Sequence, residues 1–159
     1  MTLPVPTEAE RARSDALSTR IRAAIADAGG WIPFSRYMAL ALYEPGLGYY
    51  ACGERIFGAG GDFVTAPELT PLFGRTLART LAPVIRETGG DVLELGAGSG
   101  RLAVDLLGEL DRLEARPGRY RILEVSAALS ARQRERIATE LPALLDRCEW
   151  FTELPRYFR

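Results

Sequence analysis

Lysine, histidine and asparagine are absent from this chain: all 20 basic residues are arginine, set against 21 acidic ones. Without lysine there is no Schiff-base chemistry and no P-loop lysine to reach a phosphate. Without histidine there is no Ser-His or Cys-His nucleophilic pair and no histidine-ligated metal. The arginine-only pattern reads as a coding bias rather than a binding adaptation. Cysteine is scarce too: Cys52 and Cys148 lie far apart with no metal-binding spacing, so two reduced thiols and no metal site are expected. No stretch approaches the ~18 apolar residues of a membrane-spanning helix, and early acids without a compact apolar run argue against a secretory signal. A net charge of −1 with interspersed signs offers no basic stripe for nucleic acid. A cytoplasmic protein without a membrane or nucleic-acid partner is expected.

What is present is concentrated between Asp91 and Gly100, D-V-L-E-L-G-A-G-S-G. Val92, Leu93 and Leu95 read as a buried strand, and the segment from Arg101 reads as a helix. The alternating glycines supply backbone conformations and close approaches that a Cβ would obstruct. Such a loop aims helix N-terminal N–H groups at a ligand, so Glu94, Gly96, Ala97, Gly98 and Gly100 are candidate cofactor residues. A Gly-rich surface turn is the plainer alternative. The dinucleotide pattern G-x-G-x-x-G fails, because the sixth position from Gly96 is Arg101. The nucleophile elbow G-x-S-x-G fails because Ala97 and Arg101 flank Ser99. E-x-G-x-G-x-G instead resembles the first motif of class I methyltransferases that use S-adenosylmethionine.

A second acid, Glu124, ends the next predicted strand, Arg119 to Val125, where doubly wound folds hold ribose hydroxyls with a carboxylate. Its alternative role is to cap a neighbouring helix. Ser126 reads as the N-cap of a helix over 127–140. Arg132, Arg134 and Arg136, interrupted by Glu135, read as a solvated face.

Upstream, a helix from about Thr7 places Leu17, Ile21, Ala24, Ile25 and Ala28 on one face and ends at Gly29-Gly30. A second helix with Ser35 as its cap runs to Tyr43 and stops at Pro45-Gly46. Gly48–Cys52 and Glu54–Phe57 read as a small hairpin. Thr70-Pro71 reads as N-cap and first residue of a helix reaching Thr88, with Phe73, Leu77, Leu81, Val84 and Ile85 facing the core and Pro83 a kink. The chain is thus divided into a helical and hairpin extension, 1–88, and a cofactor-binding α/β region, 89–159.

Together, F-x-x-Y-M-A-x-A-L-Y-x-P-x-x-G-Y-Y from Phe34, G-D-F-x-T-A-P-E-L-x-P-x-F-G from Gly61, E-L-G-A-G-S-G-R-L from Glu94 and L-E-V-S-x-x-L-x-x-x-Q from Leu123 resemble the MidA (NDUFAF7) family of methyltransferases. The resemblance spans roughly residues 31–133. It implies an α/β class I, Rossmann-like parallel sheet and S-adenosyl-L-methionine as cofactor. It also implies a protein substrate methylated at arginine, a respiratory complex I subunit for the mitochondrial member. Glu94, Gly96, Ala97, Gly98 and Gly100 then match the cofactor loop and Glu124 the ribose acid. Gly61, Phe63, Thr65 and Pro67 match a segment packing over the cofactor. Asp62 and Glu68 of the same segment are the catalytic candidates from position alone, since transfer needs alignment and a carboxylate to hold the acceptor; a loop cap or an exposed acid is the plainer alternative for each. Only the first three strands of the family's sheet are expected, the first of them at an open edge. The chain therefore reads as the N-terminal part of such an enzyme. The alternative is a non-catalytic remnant that works with a complementary chain or a second copy covering that edge.

Overall fold

The computed structural model describes residues 5–53, 61 and 64–154. The chain divides into two compact units, Met1–Glu54 and Arg55–Arg159. In the first, α1 (Glu8–Asp27) opens with a capping box: the Thr7 hydroxyl accepts from the Glu10 N–H and the Glu10 carboxylate accepts from the Thr7 N–H. Leu17, Ile21, Ala24 and Ile25 are half-buried, whereas Ala28 is exposed beyond the helix end. α2 (Phe34–Tyr43) packs on α1, and Arg20 pairs with Glu44 at 2.8 Å. Pro33 occupies the N-cap of α2, so Ser35 lies inside the helix rather than capping it.

The expected hairpin is not formed in its first arm. Residues 48–52 are turns, and Gly48, Tyr49 and Tyr50 N–H groups donate to the carbonyls of Glu44, Ala41 and Leu42 at 2.7, 3.0 and 2.8 Å. Pro45-Gly46 turns the chain back on α2, whose terminal carbonyls take the donors a partner strand would have used. The second arm, Glu54–Phe57, lies outside the described residues.

The second unit holds α3 (Ala66–Leu69), α4 (Leu72–Thr88), β1 (Val92–Leu95), α5 (Arg101–Arg112), β2 (Tyr120–Leu123), α6 (Ala127–Glu140), a 3-10 turn (Pro142–Arg147) and β3 (Cys148–Phe151). The strands form a parallel sheet ordered β1-β2-β3, with Val92 beside Tyr120 and Tyr120 beside Cys148. Among the described residues, β1 lies at one side of this sheet. Strand residues alternate faces, so Tyr120 and Ile122 point into one core with Ala103, Leu106, Leu107, Leu110, Ile137 and Leu144. Each fully buried aliphatic there contributes ~1.5–3 kcal/mol.

α4 starts one residue later than its sequence signals suggest, with Pro71 as N-cap and the Thr70 hydroxyl accepting from the Leu72 N–H. Its buried face is also shifted: Gly74, Ala78, Ala82 and Ile85 are buried, while Phe73 and Val84 are exposed. Ile85, Leu77 and Leu81 face the core as expected, but small residues fill the rest of the buried face, and at Gly74 α4 and α5 approach closely. A Cβ built at Gly74 would lie 2.6 Å from Asp105 Cβ. α3, α4 and the sheet lie in the same compact unit, Arg55–Arg159. Arg112, then Arg79 of α4, hydrogen-bond the Glu109 carboxylate and hold its pKa down to about 2.

Gly74→Ala is expected to lower the unfolding free energy by about 1–3 kcal/mol through overpacking, read as a lower urea midpoint with an unchanged slope. An unchanged midpoint would contradict the close α4–α5 contact.

Candidate functional site

The site stands at the C-terminal ends of the strands, where a parallel α/β sheet opens its crevice. β1 delivers Glu94 and Leu95, and the chain then turns through Gly96, Gly98 and Gly100 at φ of 67°, 53° and 80°, angles that disfavour any side chain. Gly100 is the N-cap of α5. The Gly96 N–H donates to Leu123 O at 2.9 Å, and the Gly100 N–H to Ala97 O at 2.8 Å, so the loop is tied to β2 and closed on itself. A Cβ at Gly96 would meet no protein atom within 4 Å, so the backbone there is open to close approach by a ligand.

A cleft of about 250 Å³ is lined by this loop together with Thr65, Pro67, Glu68, Glu94, Arg101 and Leu102. Among the sequence candidates, Thr65, Pro67, Glu68, Glu94, Gly96, Ala97 and Gly98 are thereby brought together. Thr65 is the N-cap residue of α3 by position but makes no side-chain capping bond. Gly61 is half-buried outside the lining residues. Asp62 and Phe63 lie outside the described residues. Glu124 does not line the cleft itself but borders the same loop: Glu124 Oε2 and the Gly98 carbonyl both accept from Gln133 Nε2, at 2.9 and 3.0 Å. The other Glu124 oxygen accepts from the Ser126 N–H at 2.9 Å, and Ser126 caps α6 by accepting from the Leu129 N–H.

Ser99 joins three elements. Its hydroxyl donates to the Glu68 carboxylate of α3, and its oxygen accepts from the Arg136 guanidinium of α6 at 2.8 Å and from the Arg101 N–H at 3.3 Å. The expected solvated arginine face on α6 is therefore only partly solvated. Arg136 is spent on the loop and on Glu140, and Arg134 stacks over the Trp150 ring at 4.0 Å. A two-way reading of charge against solvent missed an aromatic neighbour and a hydroxyl supplied by distant segments. Arg101 is likewise committed, to Asp105 and Glu140. Both groups raise its pKa, the Asp105 hydrogen bond most.

Sequence reasoning also missed Tyr120, whose buried O–H donates to Glu94 Oε2 at 2.7 Å. Burial raises the pKa of Glu94 and the nearby Glu124 charge adds to this, with the Tyr120 hydrogen bond opposing. The Tyr120 hydroxyl is pushed well above its ordinary value, first by burial and then by the Glu94 charge. Gln133 closes the L-E-V-S-x-x-L-x-x-x-Q motif, where the sequence assigned it no role; the structure makes it a polar residue in the buried stripe Leu129–Gln133–Ile137, a four-residue spacing at which an apolar side chain is the norm.

A larger cleft, about 620 Å³, lies at the opposite, N-terminal ends of the strands beside Asp91, Arg119, Arg121 and Arg147. Its size does not make it the better candidate. Arg121 pairs with Asp91 and Glu149, Arg119 pairs with Glu149, and Arg147 donates to Pro117 O, so two of its three arginines are paired with carboxylates and the third with a backbone carbonyl. The small cleft carries two carboxylates against a flexible-angle backbone, a setting suited to a ligand that bears positive charge and demands close approach.

A family model described as "Putative S-adenosyl-L-methionine-dependent methyltransferase" matches residues 74–158. The chain belongs to this family. The motif resemblance points the same way, and S-adenosyl-L-methionine is the donor by which the family is defined. Among similar proteins, the mitochondrial protein arginine methyltransferase NDUFAF7 homolog of Drosophila melanogaster is 35% identical over 125 residues, covering 76% of this chain and 28% of that protein. The NDUFAF7 of Danio rerio is 36% identical over 116 residues, covering 68% of this chain and 27% of its own length. A solved methyltransferase-type structure from Burkholderia thailandensis, bound to S-adenosyl-homocysteine, superposes with a TM-score of 0.87. It is 49% identical and covers 99% of this chain and 42% of that one. A second structure from that organism gives 0.81 and 47% identity, covering 99% of this chain and 40% of that one. The chain thus spans little more than a quarter of the curated relatives' length. Among the described residues no helix is long and apolar enough to cross a membrane, and both thiols are free.

Because the Glu94 pKa is raised above its ordinary value of 4.5, the protonated carboxyl favours the folded state. That contribution is present below pH 4.5 and is lost as pH rises through the group's own titration. Glu94→Gln keeps an acceptor for Tyr120 and removes the titration. Melting curves across pH are expected to show the stability of the variant relative to the wild-type chain rising as pH rises through this range and then levelling off. A difference independent of pH would contradict the assignment.

Proposed function

We propose that this chain forms the donor-binding part of an S-adenosyl-L-methionine-dependent methyltransferase that modifies arginine side chains of a protein. The observation that carries the reading is the glycine loop facing Glu94 and Glu68 in one cleft. Acids opposite an open backbone suit a sulfonium and an ammonium and oppose a pyrophosphate. A bound donor supplies a methyl group already activated on sulfur, so an in-line displacement needs alignment and water exclusion more than strong acid–base help.

The chain's own groups divide that work. Gly96 and Gly98 let the loop backbone approach the donor's amino-acid end, and Ala97, 7% exposed, seats the loop on the core. Glu94, half-buried and held by Tyr120, offers its charge to a cation that would lower its raised pKa. Glu124, fixed by Ser126 and Gln133, presents its remaining lone pairs to vicinal hydroxyls. Glu68, with Asp62 in the segment before it, is positioned in sequence to hold a guanidinium and take its proton. The printed names of the relatives support arginine in a protein as the acceptor. Free thiols are consistent with the cytoplasmic location expected from the sequence. The relatives' names place them in mitochondria.

A second reading is favoured by the edge position of β1, whose Leu95 is 64% exposed: a non-catalytic module that engages a protein partner through that strand.

Calorimetric titration of the chain with S-adenosylmethionine, alongside Gly98→Val, separates the two. Saturable binding is expected for the chain. The variant, forced to place a β-branched residue at φ 53°, is expected to lose at least about ten-fold in affinity, the equivalent of ~1.4 kcal/mol, while still melting cooperatively. Methyl incorporation is expected at arginine and not at lysine of an acceptor protein. A folded chain without binding would sink the donor-site reading and leave the partner module.

A further inference from the structure

We propose that Gln133 is the positioning residue of the donor site, setting the glycine loop and the ribose-side acid against each other through one amide. The inference rests on the donor-site reading above and extends it to a residue outside the cleft. Gln133 is fully buried, and burying an amide there is costly unless its bonds are all made. They are made to three separate elements. Its Nε2 donates to the Gly98 carbonyl in the loop after β1 and to Glu124 Oε2 after β2, and its Oε1 accepts from Trp150 Nε1 of β3 at 3.0 Å.

The Trp150 contact removes the usual ambiguity of an amide. Indole N–H is a donor only, so it must meet the Gln133 oxygen, and the NH₂ is then forced toward Gly98 and Glu124. The backbone of Gly100 completes the seat: a Cβ there would come within 3.3 Å of Gln133 Cα and 3.4 Å of Gln133 Cγ, so the third glycine of the loop serves α6 packing as well as backbone angle. Two consequences follow. The Gly98 carbonyl is drawn toward α6, which fixes the peptide plane beneath the donor's amino-acid end. Each Glu124 oxygen accepts one bond, Oε2 from Gln133 and Oε1 from the Ser126 N–H, so the carboxylate would offer its remaining lone pairs to a diol in a single orientation without reorganising.

The test compares Gln133→Glu and Gln133→Met with the unaltered chain by titration with S-adenosylhomocysteine at mildly acidic and mildly alkaline pH. Melting and amide hydrogen exchange of residues 97–101 are measured without ligand. At alkaline pH the Gln133→Glu variant places an anion against Glu124 and is expected to bind about 10- to 100-fold more weakly. At acidic pH its carboxyl regains a proton to donate, and part of the affinity is expected to return. Gln133→Met makes no bond at either pH and is expected to stay weak at both. In both variants the loop amides should exchange faster than in the unaltered chain. A merely structural side chain would lower melting in both variants with no pH-dependent recovery and unchanged affinity of the folded fraction, and that result overturns the proposal. If the unaltered chain binds nothing, the donor-site reading fails. Loop exchange then still decides Gln133: acceleration in both variants supports its positioning role, and equal exchange refutes it.

Discussion

The parallel pairing of β1 with β2 is the constraint on which the rest of the site depends. With Glu94 beside Ile122 and the Gly96 N–H on Leu123 O, both strands end at the same level, and the loop after one faces the acid after the other. Everything that shapes the cleft is built from that alignment. Tyr120 can reach Glu94 only because both project from the same sheet face, two residues apart in register. Glu124 carries the ladder one step further by donating its N–H to Phe151 O at 2.8 Å, so β3 also fixes where the second acid stands.

Around this frame the polar groups are arranged as struts. Glu68 and Arg136 grip Ser99 from α3 and α6, Arg101 ties α5 to α6 through Glu140, and Gln133 spans the loop, the acid and Trp150. Such contacts are worth little singly on a solvated surface. In a shared, part-buried network they specify one geometry of a loop whose glycines would otherwise leave it many. The electrostatic character that results is local: a nearly neutral chain concentrates carboxylates where its backbone is most open.

Much of the second unit was legible in sequence because its signals were strictly local. Strand-ending acids, alternating glycines and the Ser126 cap each depend on a few adjacent residues, and β1, α5, β2 and α6 fall where those signals put them. The failures share a cause as well. The face of α4 was misjudged at Phe73 and Val84, which are exposed, whereas Gly74, Ala78 and Ala82 are buried beside Ile85 and a Cβ at Gly74 would run into Asp105. The hairpin was misjudged because backbone donors after Pro45-Gly46 find the end of α2 instead of another strand. Tyr120 bonds Glu94, 26 residues away, Ser99 bonds Glu68 and Arg136, 31 and 37 residues away, and Gln133 joins Glu124, Trp150 and Gly98 at separations of 9, 17 and 35, a combination that no window of local sequence contains.

The central claim is that the loop over 96–100 and the Glu124 region form one donor site at the C-terminal ends of the strands. Amide chemical-shift mapping during titration with S-adenosylhomocysteine tests it most directly. Saturable shifts confined to residues 94–101, 124–126 and 133, with Arg119, Arg121 and Arg147 unmoved, are predicted. Shifts centred on those three arginines, at the other end of the sheet, would contradict the account.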